Sequence, residues 1–222
     1  MRRPHLTPRR IAVVAAATLG VGTAVGFAAT LTVGSWHLWN GSQTLTKAVC
    51  TLTGSAVAND TYVDQAHAST NYGTATTMLV HPGTSTRQWS LVHFDVASCG
   101  IPASGGADSA TLMLYMNNAP SPSRTLTVTS EITPFTATTL TWTQAQSLSY
   151  GSTATATFSS GTTNNVTVSI LVTLDVDALI KNPSASYGWR ISDDNTSLSD
   201  TTGFNTLNAT SNIPQLVIKY EK

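Results

Sequence analysis

Two pairs of carboxylates stand close together in this chain, Asp175 with Asp177 and Asp193 with Asp194. Glycoside hydrolysis and uronate elimination both place charged side chains across a cleft, so these pairs are the first place to look for a reaction. Neighbours on an extended strand point to opposite faces, and Asp193 and Asp194 therefore suit a turn or a cation-binding loop better than a shared catalytic task. Beyond His5 near the N-terminus, the histidines His37, His67, His81 and His93 are scattered, and neither an HExxH nor a GxSxG pattern accompanies them. No catalytic residue is assigned, and the chain is not expected to be an enzyme.

Binding chemistry is better supplied. A sugar needs an aromatic surface for its CH faces and planar hydrogen-bonding groups at the rim. Trp89, Trp142, Tyr150, Tyr187 and Trp189 are the candidate surfaces. Arg190, His93, Arg87 and Arg124 are the candidate partners for uronate carboxylates, arginine being favoured by its bidentate geometry. Trp142 and Trp189 are better suited to core or edge packing than to a sugar surface. Oxygen donors for a structural calcium are Asp60, near the start of the folded part, with Asp193 or Asp194 near its end. They would meet only if the terminal strands are neighbours, and no EF-hand spacing is present; no cofactor is otherwise required.

The elements that must position these residues read as strands. Short runs rich in Val, Thr, Leu and Tyr recur from Asp60 onward, separated by turn clusters such as Asn71-Tyr72-Gly73, Pro82-Gly83, Ser104-Gly105-Gly106 and Thr163-Asn164-Asn165. The runs are Thr61 to Asp64, Thr76 to His81, Gln88 to Asp95, Ala110 to Met116, Leu126 to Ile132, Thr153 to Phe158, Val166 to Leu171, Tyr187 to Ser192 and Gln215 to Tyr220. In the fourth, Ala110, Leu112 and Leu114 alternate with Thr111, Met113 and Tyr115, giving one apolar and one mixed face. The one helical candidate is Leu174 to Lys181, which Asn182-Pro183 stops. The pattern predicts an all-β sandwich or barrel in a single domain.

The order of several blocks carries a resemblance. The stretch Asp60 to Asp95, with its Asp-Thr-Tyr-Val start, Asn71-Tyr72-Gly73 and Leu91-Val92-His93-Phe94-Asp95, is followed by Ser109 to Met116, Thr138 to Trp142, Ser186 to Asp193 and Pro214 to Tyr220. Together they resemble the DNRLRE domain, also classified as carbohydrate-binding module family 96. The resemblance covers roughly Asn59 to the C-terminus and implies a secreted bacterial or archaeal jelly-roll β-sandwich. Such domains are accessory modules on surface proteins and polysaccharide-degrading enzymes, and some bind alginate. Two positions depart from the pattern: Pro134 to Thr138 lacks the acidic residue usual before Thr-Trp, and His93 stands where arginine is common.

Ends and composition set the compartment. Arg2, Arg3, Arg9 and Arg10 precede an uncharged run from Ile11 to Gly34, which reads as an export signal or, being close to the roughly 20 residues that span a bilayer, as an uncleaved signal anchor. The expected organisation is thus a leader over residues 1–34, a polar linker over 35–58 and a DNRLRE-like sandwich over 59–222, secreted or held outside the cell by its leader. Of 11 basic and 11 acidic residues, four arginines lie in the leader, which leaves the exported part acidic by about four charges. It has no basic run, so nucleic acid is not an expected partner; a polysaccharide, including an acidic one, is. A structural surface protein is the other reading, and the oligomeric state is open. Cys50 and Cys99 form an even count in an oxidising compartment and are expected to pair, the alternative being two buried thiols.

Overall fold

Period-two burial builds both layers of the molecule. A computed structural model describes residues 46–221 apart from 57, 184–186 and 197–198. The leader at 1–34 and the first part of the linker lie outside the described residues. The strands are β1 (Lys47–Thr53), β2 (Ala58–Asp64), β3 (Thr77–Val80), β4 (Gln88–Phe94), β5 (Ala107–Asn118), β6 (Thr125–Ser130), β7 (Ala156–Ser159), β8 (Val166–Leu171), β9 (Trp189–Ser192), β10 (Thr202–Asn205) and β11 (Gln215–Glu221). In β5, Ala110, Leu112, Leu114 and Met116 are fully buried, with half-buried Thr111, Met113 and Tyr115 between them. The same alternation runs through β11, where Leu216, Ile218 and Tyr220 point inward.

The strands form two antiparallel sheets. One is ordered β1-β11-β5-β10-β3, with β8 on the other edge of β5; the second is β2-β4-β9-β6-β7. Successive strands from β1 to β6 alternate between the two sheets, so the chain repeatedly crosses the sandwich and its pairings are long-range. Between the sheets, Met78, Leu112, Leu114, Met116, Phe204 and Ile218 face Val92, Phe94, Leu126, Val128, Trp189 and Ile191 in one core. Each such side chain contributes about 1.5–3 kcal/mol by leaving water. The all-β sandwich expected from the sequence is present, with Trp189 packed between its sheets and Trp142 buried outside them.

A second apolar cluster covers part of the outer face of the five-stranded sheet. Val63 of β2 and Leu91 of β4 pack there against Leu140, Trp142 and Ala145. The covering segment holds a short helix, α1 (Trp142–Ala145), which starts with a capping box: Gln144 N donates to Thr141 Oγ1, and Thr141 N donates to Gln144 Oε1 at 2.9 Å. This cover explains why β2 and β4 are buried on both faces instead of alternating. A longer helix, α2 (Thr173–Lys181), buries Val176, Leu179 and Ile180 in the main core. It corresponds to the helical candidate at Leu174 to Lys181 and ends at Asn182, whose extended backbone precedes Pro183.

One boundary needs correction. The linker read over residues 35–58 includes β1, which pairs with β11 along its whole length, from Lys47 opposite Glu221 to Thr53 opposite Gln215. Only Leu52 of β1 is buried, so this edge strand has little of the apolar alternation that marks the others. β10 was likewise unread, because Thr-Gly-Phe-Asn carries no period and gains its conformation from β5 and β3 on either side. The expected disulfide joins Cys50 of β1 to Cys99, at the end of a 3-10 turn, with Cα atoms 5.8 Å apart.

Candidate carbohydrate-binding site

Strand parity decides which side chains share a face. Trp189 and Ile191 of β9 enter the core, so Arg190 and Ser192 point to the outer face of the five-stranded sheet. Val92 and Phe94 do the same for β4, placing Trp89, Leu91 and His93 outward. Register aligns these residues: Arg190 lies between Leu91 of β4 and Thr129 of β6, and Asn59 of β2 is opposite His93. Glu131 follows β6 and bridges to Tyr150. It also pairs through its backbone with the start of β9, its N–H donating to Gly188 O at 2.8 Å and its carbonyl accepting from Tyr187 N at 2.6 Å.

The centre of this face is a stacked cation. The Arg190 guanidinium sits 4.6 Å from the Trp89 ring centroid and 4.2 Å from that of Tyr150. Trp89 in turn packs on Trp142 at 4.4 Å and meets Tyr150 edge-on at 6.0 Å. The Tyr150 hydroxyl donates to Ala145 O at 2.9 Å, which ties the ring to α1. The covering segment therefore does two things: it buries Leu91 and Val63, and it aims two aromatic rings at one arginine. Each cation–π contact contributes about 0.5–2 kcal/mol depending on desolvation.

Around the stack several buried polar atoms lack a protein partner: Arg190 Nε, Trp89 Nε1, His93 Nδ1, Asn59 Oδ1, Glu131 Oε2 and Ser192 Oγ. All belong to the outer face of the same sheet, and elsewhere among the described residues Asp60 Oδ1, Arg124 Nη1 and Thr202 Oγ1 are in the same position. Glu131 is fully buried, and its Oε1 accepts from Thr133 N at 2.7 Å. Burial pushes its carboxyl up to about 7, against the opposing pull of the Thr133 and Ile132 N–H groups and of Arg190. No salt bridge joins Glu131 to Arg190 among the described residues. Burial also holds the His93 imidazole below the ordinary histidine range, despite the nearby Tyr187 backbone and Asp95. Gly188 lies between His93 and Glu131 with φ +115°, and a side chain there would collide with the Val92 carbonyl. Bare backbone thus floors the space between the two.

Of the residues expected to bind sugar, the structure brings Arg190 and His93 to one face, and Tyr187 reaches it through its backbone N–H, which donates to Glu131 O. Arg87 is at the start of β4, where its Nε donates to Gly83 O at 2.8 Å. Arg124 is a correction: it is 2 % exposed, with its guanidinium 2.8 Å from Asp193, so it locks the sandwich interior and does not face a ligand. Asp193 is thereby engaged as well, and its Oδ1 accepts from Asn195 N. The calcium set is not assembled. Asp60 is buried on β2 with Oδ2 accepting from Leu207 N at 2.9 Å, Asp194 is exposed, and no cluster of three ligating side chains occurs among the described residues. Burial raises Asp60 to about 7.

The carboxylate pairs considered for catalysis are held apart from one another. Asp175 Oδ2 accepts from Trp189 Nε1 at 2.7 Å and from Thr155 Oγ1 at 2.6 Å, while Asp177 takes the Ala107 N–H and the Lys181 ammonium. Asp193 and Asp194 fall on opposite sides, one buried and one exposed. Glu131 is the member of the polar face that sequence reasoning missed. Its signal was a lone acidic residue in the otherwise neutral run Thr125 to Thr133.

No curated protein matches the chain. Residues 51–220 match carbohydrate-binding module family 96, a span that begins inside β1 and ends at the penultimate residue of β11. With most of its length covered by that match and its sandwich as expected, the chain belongs to carbohydrate-binding module family 96.

Proposed function

We propose that this protein is an extracellular, non-catalytic jelly-roll module that binds an acidic polysaccharide on the outer face of its five-stranded sheet. The observation that carries the reading is the Arg190 stack: a guanidinium held between Trp89 and Tyr150 in a chain of a carbohydrate-binding family. A sugar carboxylate would take the Arg190 guanidinium, and ring hydroxyls would take Glu131 Oε2, His93 Nδ1 and Asn59 Oδ1, which have no hydrogen-bond partner among the described residues. Neutral or protonated, Glu131 and His93 oppose an anion less than a charged carboxylate would. The arginine-rich leader and the Cys50–Cys99 bridge support an extracellular location.

The test is affinity electrophoresis of the full chain through gels containing alginate, pectin, xylan or chitosan. Retardation in the alginate or pectin gel, lost in Arg190→Ala, is the expected result. Free migration in all four would favour a structural surface protein. New reducing or unsaturated ends after incubation with any of these glycans would contradict the non-catalytic role.

A further inference from the structure

Where the edge strands β7 and β8 diverge, a cleft of about 620 Å³ opens between the two sheets. It opens on the opposite side of the five-stranded sheet from the Arg190 face: Ser130, inward on β6 as the cross-strand neighbour of Trp189, lies on its wall, and the adjacent Glu131 points to the other side. Ile132, Leu171 and Leu174 line the cleft and are 44 %, 65 % and 83 % exposed. Of the large apolar side chains exposed among the described residues, only Val49 lies elsewhere. Such a gathering of apolar surface around one hollow marks a place of contact, since scattered exposed leucines do not converge on a concavity.

The remaining lining decides what would enter. Ser152, Thr153 and Thr173 bring hydroxyls, which donate and accept as sugar hydroxyls do. Asp175 is the one ionisable residue on the wall, and its orientation is set by the bonds from Thr155 and Trp189. Among the described residues no arginine, lysine or histidine lines the cleft. A uronate carboxylate would therefore meet Asp175 with no cation to offset it, whereas vicinal hydroxyls would find an acceptor there. A space of this volume holds a small number of sugar rings.

We infer that this cleft is a second saccharide site, selective for neutral sugars, with the aliphatic side chains of Leu171 and Leu174 taking the ring CH faces in place of an aromatic surface and hydroxyls directed to Asp175 and the threonines. This rests on the reading of the chain as a glycan-binding module, but not on the Arg190 face. The two sites divide by charge: the outer face takes acidic sugars and the inter-sheet cleft takes neutral ones. A module with both would lie across a mixed polymer or join two different ones.

Isothermal titration of the full chain with xylohexaose, cellohexaose and mannohexaose, and separately with an oligoguluronate, tests both halves. At least one neutral hexasaccharide should bind, and Leu174→Ser or Thr153→Arg should weaken it by about tenfold or more, by the cost of losing apolar contact in a pocket. Both positions are exposed, so neither change threatens the fold. Arg190→Ala should leave the neutral sugar's affinity unchanged and abolish that of the oligoguluronate. No neutral sugar bound, or neutral binding insensitive to both cleft variants, would overturn the second site while leaving the oligoguluronate result to stand. Loss of neutral binding in Arg190→Ala would overturn it as well, by returning both sugars to one face.

Discussion

Arg190 is costly to place where it is. Its Nε is enclosed without a hydrogen bond, and its charge is met by two ring faces, the nearby Glu131 carboxyl being driven by burial toward neutrality. Such an arrangement gives up stability for function. Arg190→Lys should lose acidic glycan binding nearly as fully as Arg190→Ala, because a point charge replaces the planar fork; gel retardation of the two variants side by side checks this. Buried carboxyls also set the pH profile. Glu131 and Asp60 are raised to about 7 from 4.5 and 3.8, so the folded state keeps protons that the unfolded chain has lost, and stability falls as pH rises from about 4 to about 7. His93, lowered from 6.5, works in the other direction, losing stability as pH falls below that value. Asp64 and Asp177 are lowered from 3.8, and their contribution disappears only in stronger acid. Two raised carboxyls outweigh one imidazole, so Tm should be lower at about pH 8 than at about pH 5. Glu131→Gln should flatten that slope; a Tm that climbs between the two pH values would contradict the assignment. These residues were partly legible in the sequence. Arg190 and His93 could be picked by residue type and by alternation, but Arg124 could not be told from them, because its partner Asp193 is far away in the chain and the pair forms only when β6 and β9 align.

Elements show the same division between local and distant causes. Strands with their own apolar alternation, such as β5 and β11, were readable from sequence, as were β8 and the helix α2. β1 was not, since it is an edge strand that buries one leucine and is held by pairing with β11 and by Cys50. A chain beginning at residue 59 should therefore be less stable than one beginning at residue 46, having lost both the strand and the bridge. Thermal unfolding would show it, and equal Tm values would contradict the role given to β1. The bridge spans a sequence separation of 49 residues, so Cys99→Ser alone should cost about 4 kcal/mol through the entropy of the unfolded chain. The covering segment was unread for another reason: α1 is one turn long and has no periodicity to detect, only the Thr141 and Gln144 capping box. Thr141→Ala should cost about 1 kcal/mol by chemical denaturation. Because α1 anchors Tyr150 through Ala145 O, the same change should weaken acidic glycan binding, coupling cover to site.

On the scale of the molecule, the sandwich separates two kinds of surface. The outer face of the five-stranded sheet carries a cation clamped by aromatic rings, while the gap between the sheets ends in a cleft with aliphatic rims and no cation. Residues 35–222 are acidic overall, so attraction of an anionic polymer must come from the local field at Arg190 and should weaken with added salt. The two-sheet architecture and the family were accessible from the order of motif blocks, but the face that matters was not, because it depends on which side of the sheet residues 133–150 cover. The most direct measurement is a titration of isotope-labelled protein with an oligoguluronate, followed by the NMR signals of the Arg190 Nε–H, the Trp89 Nε1–H and the backbone amides of His93 and Glu131. Saturable shifts confined to these groups, absent in Arg190→Ala, are the predicted result; no shifts, or shifts that map to the six-stranded sheet, would contradict the account.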